Sequence, residues 1–211
     1  MKFAKISENT FNELQTEAGI LLNAFDPSNP APPTTEQIIC ATTGGITATC
    51  VPTTRDDGED VDNCPNNMLE LKKIDSYEAK LAFTALSVTA ETIRMSIGAA
   101  DVEDGKITPR SAYKRTDFKD VWWVGDLSDG GFCAICLKRA VSTAGFSLKT
   151  TKAGKGNLSV ELTGHYTLSA QDEVPMDFYI QVGEEETNGE TNGETNGETN
   201  GETNGETNGG N

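Results

Sequence analysis

The sequence is short of basic residues and has no lysine or arginine after Lys155. Its formal net charge is −16, and the eight glutamates after Gly183 contribute half of it. The residues before them still hold 25 acidic against 17 basic side chains. Holding nucleic acid by its phosphates requires clustered lysine and arginine, so this balance argues against a nucleic-acid-binding protein. It is compatible with nucleic acid that passes without being held, because like charges repel.

The sequence also has no long apolar run. Residues 1–10, MKFAKISENT, contain no apolar core of signal-peptide length, and no stretch is long enough to cross a bilayer. We therefore expect a protein made in the cytoplasm, with no membrane partner. The five cysteines are Cys40, Cys50, Cys64, Cys133 and Cys136. An odd number without a signal peptide favours reduced thiols.

Alternation of apolar and polar residues predicts a mainly β protein. In Leu158–Ala170 the even positions are apolar or glycine and the odd ones are polar, which predicts a long two-faced strand with Gly164 as a bend. Further predicted strands are Leu14–Leu22, Tyr77–Ala85, Phe146–Thr151 and Val174–Val182, with a hairpin of Phe118–Leu127 and Phe132–Val141 around Ser128–Gly131. Pro175 places the last of these at an edge or at its own start.

Gly44-Gly45 predicts the turn of another hairpin, between Gln37–Thr43 and Ile46–Thr53. The proline-rich segment Asp26–Pro33 and the acidic segment Arg55–Asn67 predict long loops. One short helix is predicted after Thr89, which can cap it. Its apolar face would be formed by Ala90, Ile93, Ile97 and Ala100, with Gly98 weakening the last turn.

After Gly183 the composition changes abruptly. The unit Glu-Thr-Asn-Gly occurs six times from Glu186 to Gly209, with no apolar residue to favour ordering. The unit is also much shorter than the repeats of solenoid proteins. We therefore predict one folded β domain over residues 1–183 and a disordered acidic tail over residues 184–211.

The residues that most resemble a reactive site have simpler interpretations. His165, the only histidine, lies on the polar face of a predicted strand, which favours a surface or interface residue over a triad or zinc ligand. Cys133 and Cys136 are three residues apart on a predicted strand, so they face opposite sides and favour packing over metal binding. Cys40 and Cys50 would lie nearly opposite each other across the Gly-Gly hairpin, although a disulfide there is the less favoured reading.

Three other motifs also have structural interpretations. The acidic run Asp56–Asn63 is dense in carboxylates, which suggests calcium binding as one hypothesis, but it lacks the EF-hand order of ligands, which favours a solvated or subunit-bridging loop. Gly154-Lys155-Gly156 is too short for a phosphate-binding loop and predicts a turn. Trp122 and Trp123 must face opposite sides of a strand, one toward the core and the other toward an interface. The sequence therefore predicts no catalytic, metal-binding or cofactor-binding residues and no cofactor.

The segments found so far, taken in order, resemble the tail tube, or major tail, proteins of long-tailed bacteriophages and their prophages. The resemblance covers about residues 10–182 and excludes the repeat tail. It rests on Glu17-Ala18-Gly19-Ile20-Leu21-Leu22, the Ile38–Val51 hairpin, the Val88–Ala100 helix, Asp120-Val121-Trp122-Trp123-Val124-Gly125, and Gly145-Phe146-Ser147-Leu148 leading to Val160–Gly164.

This resemblance implies an antiparallel β-sandwich or partial barrel with one flanking helix. It further implies that six copies close into a ring, that rings stack into the hollow channel through which DNA is ejected, and that exposed sheet edges are consumed in the ring. The implied location is the virion tail, assembled in the host cytoplasm. The implied partners are other copies of the chain, a tape-measure protein, terminator and tip proteins, and double-stranded DNA as passing cargo.

Two other classes of function are compatible with the pattern. A tube protein of a related secretion or contractile system would share the architecture, which by itself does not separate the two. A monomeric β-sandwich binding module, for example for carbohydrate, would require an aromatic ligand face that the sequence does not obviously supply. An enzyme has the least support, since the sequence has one histidine and no recognisable set of catalytic residues.

The tail yields the first testable prediction. Deletion of Glu186–Asn211 is expected to leave polymerisation intact, because the repeat has no apolar residue with which to join a packed interface. Negative-stain microscopy of the full and the shortened chain checks this. Loss of tubes from the shortened chain alone would contradict it.

Overall fold

A computed structural model describes residues 6–7, 10–11 and 13–183 of the chain, and the predicted tail 184–211 lies outside these residues. The described part is mainly antiparallel β with one short α-helix, as predicted. Its elements are β1 Ile20–Leu22, β2 Thr42–Asp56, β3 Lys72–Ala85, α1 Ala90–Ile97, β4 Ala100–Glu103, β5 Lys106–Pro109, a 3₁₀ turn Arg115–Asp117, β6 Lys119–Asp126, β7 Phe132–Ser142, β8 Ser147–Lys149, β9 Asn157–Thr163 and β10 Met176–Gln181.

The strands pair in the order β1-β6-β7-β9-β3-β2, with β10 added to β7, β8 added to β9, and β4 and β5 forming a separate pair. Strand β7 belongs to two sheets: Phe132–Leu137 pairs with β6 and β10, whereas Val141 and Ser142 pair with β9. Between these parts β7 carries one extra residue relative to β6, and Arg139 there has φ 50°. Such a bulge bends a strand, which lets β7 connect the sheets.

The core contains side chains from strands on both sides of this bend and follows the predicted alternation. In β3 the residues Ala79, Leu81, Phe83 and Ala85 are all buried, while the residues between them are at least partly exposed. The same buried cluster contains, from other strands, Leu21, Leu137, Leu158, Val160 and Leu162. Each fully buried leucine contributes about 1.5–3 kcal/mol relative to an exposed one. The predicted β6–β7 hairpin is confirmed, and β10 begins directly after Pro175.

Helix α1 begins at the predicted cap. The Thr89 side chain accepts a hydrogen bond from the N–H of Thr92, and the Thr92 hydroxyl accepts one from the N–H of Thr89. The predicted apolar face is wrong in its details, because Ala90 is exposed, Ala100 lies in β4, and the buried helical residues are Thr92 and Ser96. Both buried hydroxyls donate to backbone carbonyls, which lets them enter the core. None of the described helices is long and apolar enough to span a bilayer.

The predicted Gln37–Thr53 hairpin is wrong. Strand β2 runs through Gly44 and Gly45 and pairs with β3, and the two glycines form a bulge between the pairs Thr43–Thr84 and Ile46–Phe83. Both have φ near 77°, a conformation that glycine adopts without strain, and a Cβ at either would meet no atom within 4 Å. Cys50 consequently lies opposite Ala79 rather than Cys40, and all five cysteines are free.

The predicted strand Leu158–Ala170 is about half as long in the structure, because β9 ends at Thr163. There the N–H of Gly164 donates to the carbonyl of Ala79, and a Cβ on Gly164 would lie 2.8 Å from a methyl group of Leu137. The chain therefore leaves the sheet at Gly164, where its backbone passes close to Leu137. Leu168, beyond this point, is 92% exposed.

The predicted strand Leu14–Leu22 is likewise reduced to Ile20–Leu22 plus a bridge from Gln15 to Leu127. Gly19, with φ 68°, interrupts it. A Cβ there would lie 2.4 Å from the Trp123 indole nitrogen. The alternation of apolar and polar residues continues across these glycines, but the regular strand backbone is interrupted at each of them.

The core yields a prediction about stability. Leu137→Ala should lower the free energy of unfolding by about 2–5 kcal/mol, because it opens a cavity where β7 joins both sheets. Leu168→Ala removes the same atoms from an exposed side chain and should change stability by less than about 0.5 kcal/mol. Denaturant titration of both variants measures the difference, and equal effects would show that β7 does not hold the core.

Candidate assembly surfaces

The most unusual surface of the described chain is a two-stranded ribbon that leaves the body. Strand β9 pairs with β3 only from Lys80 to Ala85, whereas β2 and β3 pair with each other from Asp56–Lys72 to Thr42–Ala85. We call residues 51–78 the arm and its end, residues 57–71, the tip. At about 3.3 Å per residue, the six residues 51–56 extend the ribbon by about 20 Å.

One tyrosine makes the outermost described side-chain hydrogen bond between the body and the arm. The Tyr166 hydroxyl accepts a hydrogen bond from the N–H of Tyr77 at 2.8 Å and donates to the carbonyl of the same residue at 3.4 Å. Ile74 beyond this point and Val51, which pairs with Glu78 one position nearer the body, are each more than half exposed. Isolated two-stranded ribbons are only marginally stable in water, so the arm has little support of its own.

A second irregularity brings apolar side chains together on the arm. Between Thr53 and Thr54 the register shifts by one residue, which places Ile74 opposite Thr54. Alternate residues of a strand share a face, so Ile74 lies on the same face as Pro52 and Tyr77. The apolar face of β3 thus continues outward along the arm.

The tip is ordered by two aspartates. The Asp56 carboxylate accepts hydrogen bonds from the N–H groups of Asn67 at 2.7 Å and Gly58 at 3.0 Å, which lower its pKa. The Asp57 carboxylate is 2.5 Å from the Lys73 ammonium and 2.8 Å from the Arg55 guanidinium, and the Lys73 hydrogen bond is the main cause of its lowered pKa. The predicted loop Arg55–Asn67 is therefore a hydrogen-bonded turn structure, with Arg55 and Asp56 inside β2.

The calcium hypothesis for Asp56–Asn63 finds no geometric support. Both aspartates at its start already bind backbone amides or cationic side chains. Within the described residues, no three histidine, cysteine, aspartate or glutamate side chains lie close enough together to hold a metal ion.

Strand β10 presents a second surface. Its first residue, Met176, is buried, but Phe178 is 59% and Ile180 is 71% exposed, and Val182 just beyond it is also exposed. These three follow the predicted alternation, yet each is more than half exposed within the described residues. In the described part of the chain β10 pairs with β7 alone, so its other edge has no strand partner.

A groove of about 1050 Å³ separates the proline-rich loop from the sheet. It is lined in part by Ile20, Phe25, Pro32, Ile38, Phe132 and Val182. The two tryptophans face opposite sides of β6, as predicted: the Trp123 indole donates to the carbonyl of Ala18 and packs against the core, whereas the Trp122 ring lies 5.7 Å from Phe25 and 5.5 Å from Tyr179. The groove wall is therefore partly aromatic.

The residues weighed as reactive groups lie apart from this groove or are unreactive. The His165 ring nitrogen Nδ1 lies 3.2 Å from the carbonyl of Arg139, and its ring packs edge-on against Phe118. Cys133 and Cys136 pair with different residues on opposite faces of β7, as predicted. Burial raises the pKa of Cys136 to about 12 and that of Cys40 to about 11, so neither is a thiolate at neutral pH.

The arm was missed by the sequence analysis, although a signal for it existed. From Thr42 to Thr54 the chain holds six threonines together with isoleucine, valine and no charged residue. β-Branched residues favour strands, and this run is long enough to predict a single strand. The Gly44-Gly45 pair led instead to the prediction of a hairpin, because a glycine pair signals a hairpin turn more often than a bulge.

Comparison of the chain with known protein families, with curated proteins and with solved structures finds no match. The function is therefore inferred from the surfaces described above.

The tip yields a prediction that isolates Asp56. Asp56→Asn should speed amide hydrogen exchange at Gly58 and Asn67 at neutral pH, because a neutral amide accepts these bonds more weakly than a carboxylate. Asp62→Asn removes a nearby charge without a described hydrogen bond and should leave both amides unchanged.

The same contact has a pH dependence with a defined sign. Because the pKa of Asp56 lies below its ordinary value of 3.8, its contribution is complete above that pH and is lost as pH falls through the lowered value. The amide resonances of Gly58 and Asn67 should titrate together with a midpoint below 3.8. A midpoint at or above the ordinary value would contradict the contact.

Proposed function

We propose that this protein is a structural subunit that assembles with copies of itself into a hollow tube, as the tail tube of a long-tailed bacteriophage. The observation that supports this most directly is the arm, a ribbon with exposed apolar residues and little support from its own body. In the proposed tube, a second copy packs against these exposed residues and supports the ribbon.

The edges of the sheet support the same proposal. The outer edge of β2 has no strand partner along its main length in residues 13–183, and no charged residue occurs from Thr42 to Thr54. Monomeric proteins usually protect such edges with charges, short strands or a covering segment. Strand β10 is a second unpaired edge, with Phe178 and Ile180 exposed beside it. Closing a ring between unlike edges of neighbouring copies removes both from water.

The outer face of the β2-β3-β9 sheet suits a wet channel. Its side chains are mostly hydroxyls and charges, and Lys80 lies 2.6 Å from Glu78 and 3.5 Å from Glu161. These hydrogen bonds and charges, with Glu78 first, raise the pKa of Lys80, so the cation is held in the sheet by two carboxylates. In the proposed tube, a face whose cation is already neutralised does not grip passing DNA.

The proposal extends to the particulars that the resemblance implies. Six copies form each ring, and stacked rings form the channel for DNA ejection in the virion tail. Assembly takes place in the host bacterial cytoplasm, in contact with a tape-measure protein and with terminator and tip proteins. The chain acts as a building block and not as an enzyme.

The groove favours one alternative. Its wall includes Phe25 and Phe132, whose ring centroids lie 5.3 Å apart, and aromatic side chains are surfaces on which sugar rings stack. A monomeric carbohydrate-binding module is therefore the second candidate. The two functions predict different oligomeric states, because the module stays a monomer at any working concentration whereas the tube subunit assembles.

Two substitutions on β10 test the proposed function. Phe178→Asp with Ile180→Asp places charges on an exposed edge without disturbing the core, so the variant should fold but remain a small species. The wild-type chain should form rings or tubes in negative-stain images and large species in light scattering. Leu168→Asp, at an even more exposed apolar residue outside the strands, serves as the control and should assemble as the wild type does.

Unfolding free energies of the three proteins should agree within about 0.5 kcal/mol, as is usual for surface changes. A wild-type chain that stays monomeric at high concentration and binds glycans would overturn the proposal in favour of the binding module.

A further inference from the structure

The charges of the chain are segregated, and the arm carries an excess of acid. Residues 55–75 contain seven carboxylates and three cationic side chains. The cations are Arg55, Lys72 and Lys73, and the first and last of these already pair with Asp57. Glu59, Asp60 and Asp62 form no ion pair with the described residues and stand exposed on the tip.

The opposite charge is concentrated in a second segment. Between Ser142 and Val160 there is no acidic residue, and Lys149, Lys152 and Lys155 are all exposed. We call residues 149–155 the basic turn, which joins β8 to β9. Its three lysines form no ion pair with the described residues. Three of the four cations of residues 110–119 differ in this respect, since Arg110 and Lys114 pair with Asp101 and Lys119 pairs with Glu91.

The two charged segments lie at opposite ends of the sheet. The tip follows the distal pair Asp56–Lys72, whereas Leu158, just after the basic turn, lies opposite Ala85 at the other end of β3. Lys72 and Ala85 are the two ends of the 14-residue strand β3, about 43 Å apart at 3.3 Å per residue step. The two segments of one copy cannot touch.

Apolar surface accompanies the charge at both ends. A groove of about 600 Å³ is lined by Ile93, Ile97, Ile107, Pro109 and Phe146, and Phe146 lies three residues before Lys149. On the tip, Leu69 is 86% and Val61 is 56% exposed. An acidic tip with apolar side chains thus matches a basic turn beside an apolar groove.

We propose that the tip of one copy docks on the basic turn and the adjoining apolar groove of the next copy along the axis. This inference rests on the proposed function, for which it names the surfaces that join one ring to the next. Contact between unlike ends is heterologous and does not close on itself, so it repeats without limit and builds length. The charge complementarity fixes which end meets which, and the buried apolar side chains hold the contact.

A zero-length carbodiimide cross-linker, which joins a carboxylate to an amine in direct contact, tests this in the assembled full chain. Peptide mass spectrometry should find links from Glu59, Asp60 or Asp62 to Lys149, Lys152 or Lys155. Each such link joins two copies, because the two segments of one copy lie about 43 Å apart. The yield should fall as salt is raised.

Charge reversal gives the matching functional test. Lys149→Glu with Lys152→Glu and Lys155→Glu should lose stacked tubes while keeping single rings, and so should Glu59→Lys with Asp60→Lys and Asp62→Lys. Mixing the two triple variants should restore tubes, because each tip then meets a turn of opposite charge. Arginine at the three lysine positions keeps the charge and should leave tubes unchanged.

Tubes of normal length from either charge-reversed variant, or wild-type assemblies cross-linked between copies but never between tip and turn, would overturn this inference and leave the proposed function standing. Absence of any assembly in the wild type would overturn both.

Discussion

The backbone hydrogen bonds of strand β3 set the shape of this protein. From Lys80 to Ala85 the strand is paired on both sides, by β2 and β9, and its apolar residues enter the core. Beyond Ala79 it has β2 alone, because Gly164 carries the chain of β9 away. Backbone groups need partners, and a ribbon with two open edges obtains them from water or from another chain. The arm, its exposed side chains and the proposed self-assembly all follow from this difference in strand length.

Charge complements this arrangement without creating it. The acidic tip is ordered by hydrogen bonds that Asp56 accepts from backbone amides, so its remaining carboxylates are held on a folded surface. The basic turn lies at the far end of the same sheet. Surface charges contribute little to the stability of a fold, but they strongly affect which surfaces meet and how fast. In the proposed tube the β strands determine the ring, and the charges determine how rings follow one another.

The sequence was sufficient for those parts of the fold in which local pattern and backbone geometry agree. The β6–β7 hairpin, the cap at Thr89 and the start of β10 after Pro175 were all predicted, because a turn, a hydroxyl and a proline each act on their immediate neighbours. The errors in strand extent occurred at glycines. Gly19 and Gly164 break the regular backbone at close contacts with the distant residues Trp123 and Leu137, whereas Gly44 and Gly45 break it through positive φ angles in open space. Pattern alone does not reveal these. The candidate surfaces were harder still, since exposure of Phe178 depends on what the rest of the chain leaves uncovered.

The glycine bulge in β2 has a consequence for how this strand can change in length. Two residues are inserted between the pairs Thr43–Thr84 and Ile46–Phe83, and an even insertion leaves every later side chain on its original side. Loss of a single glycine would exchange the two faces of the strand from Ile46 onward, turning Thr47 and Thr49 toward the core and Cys50 away from it. The parity of this short insertion, rather than its size, therefore constrains the strand: residues can be gained or lost at its base only in twos.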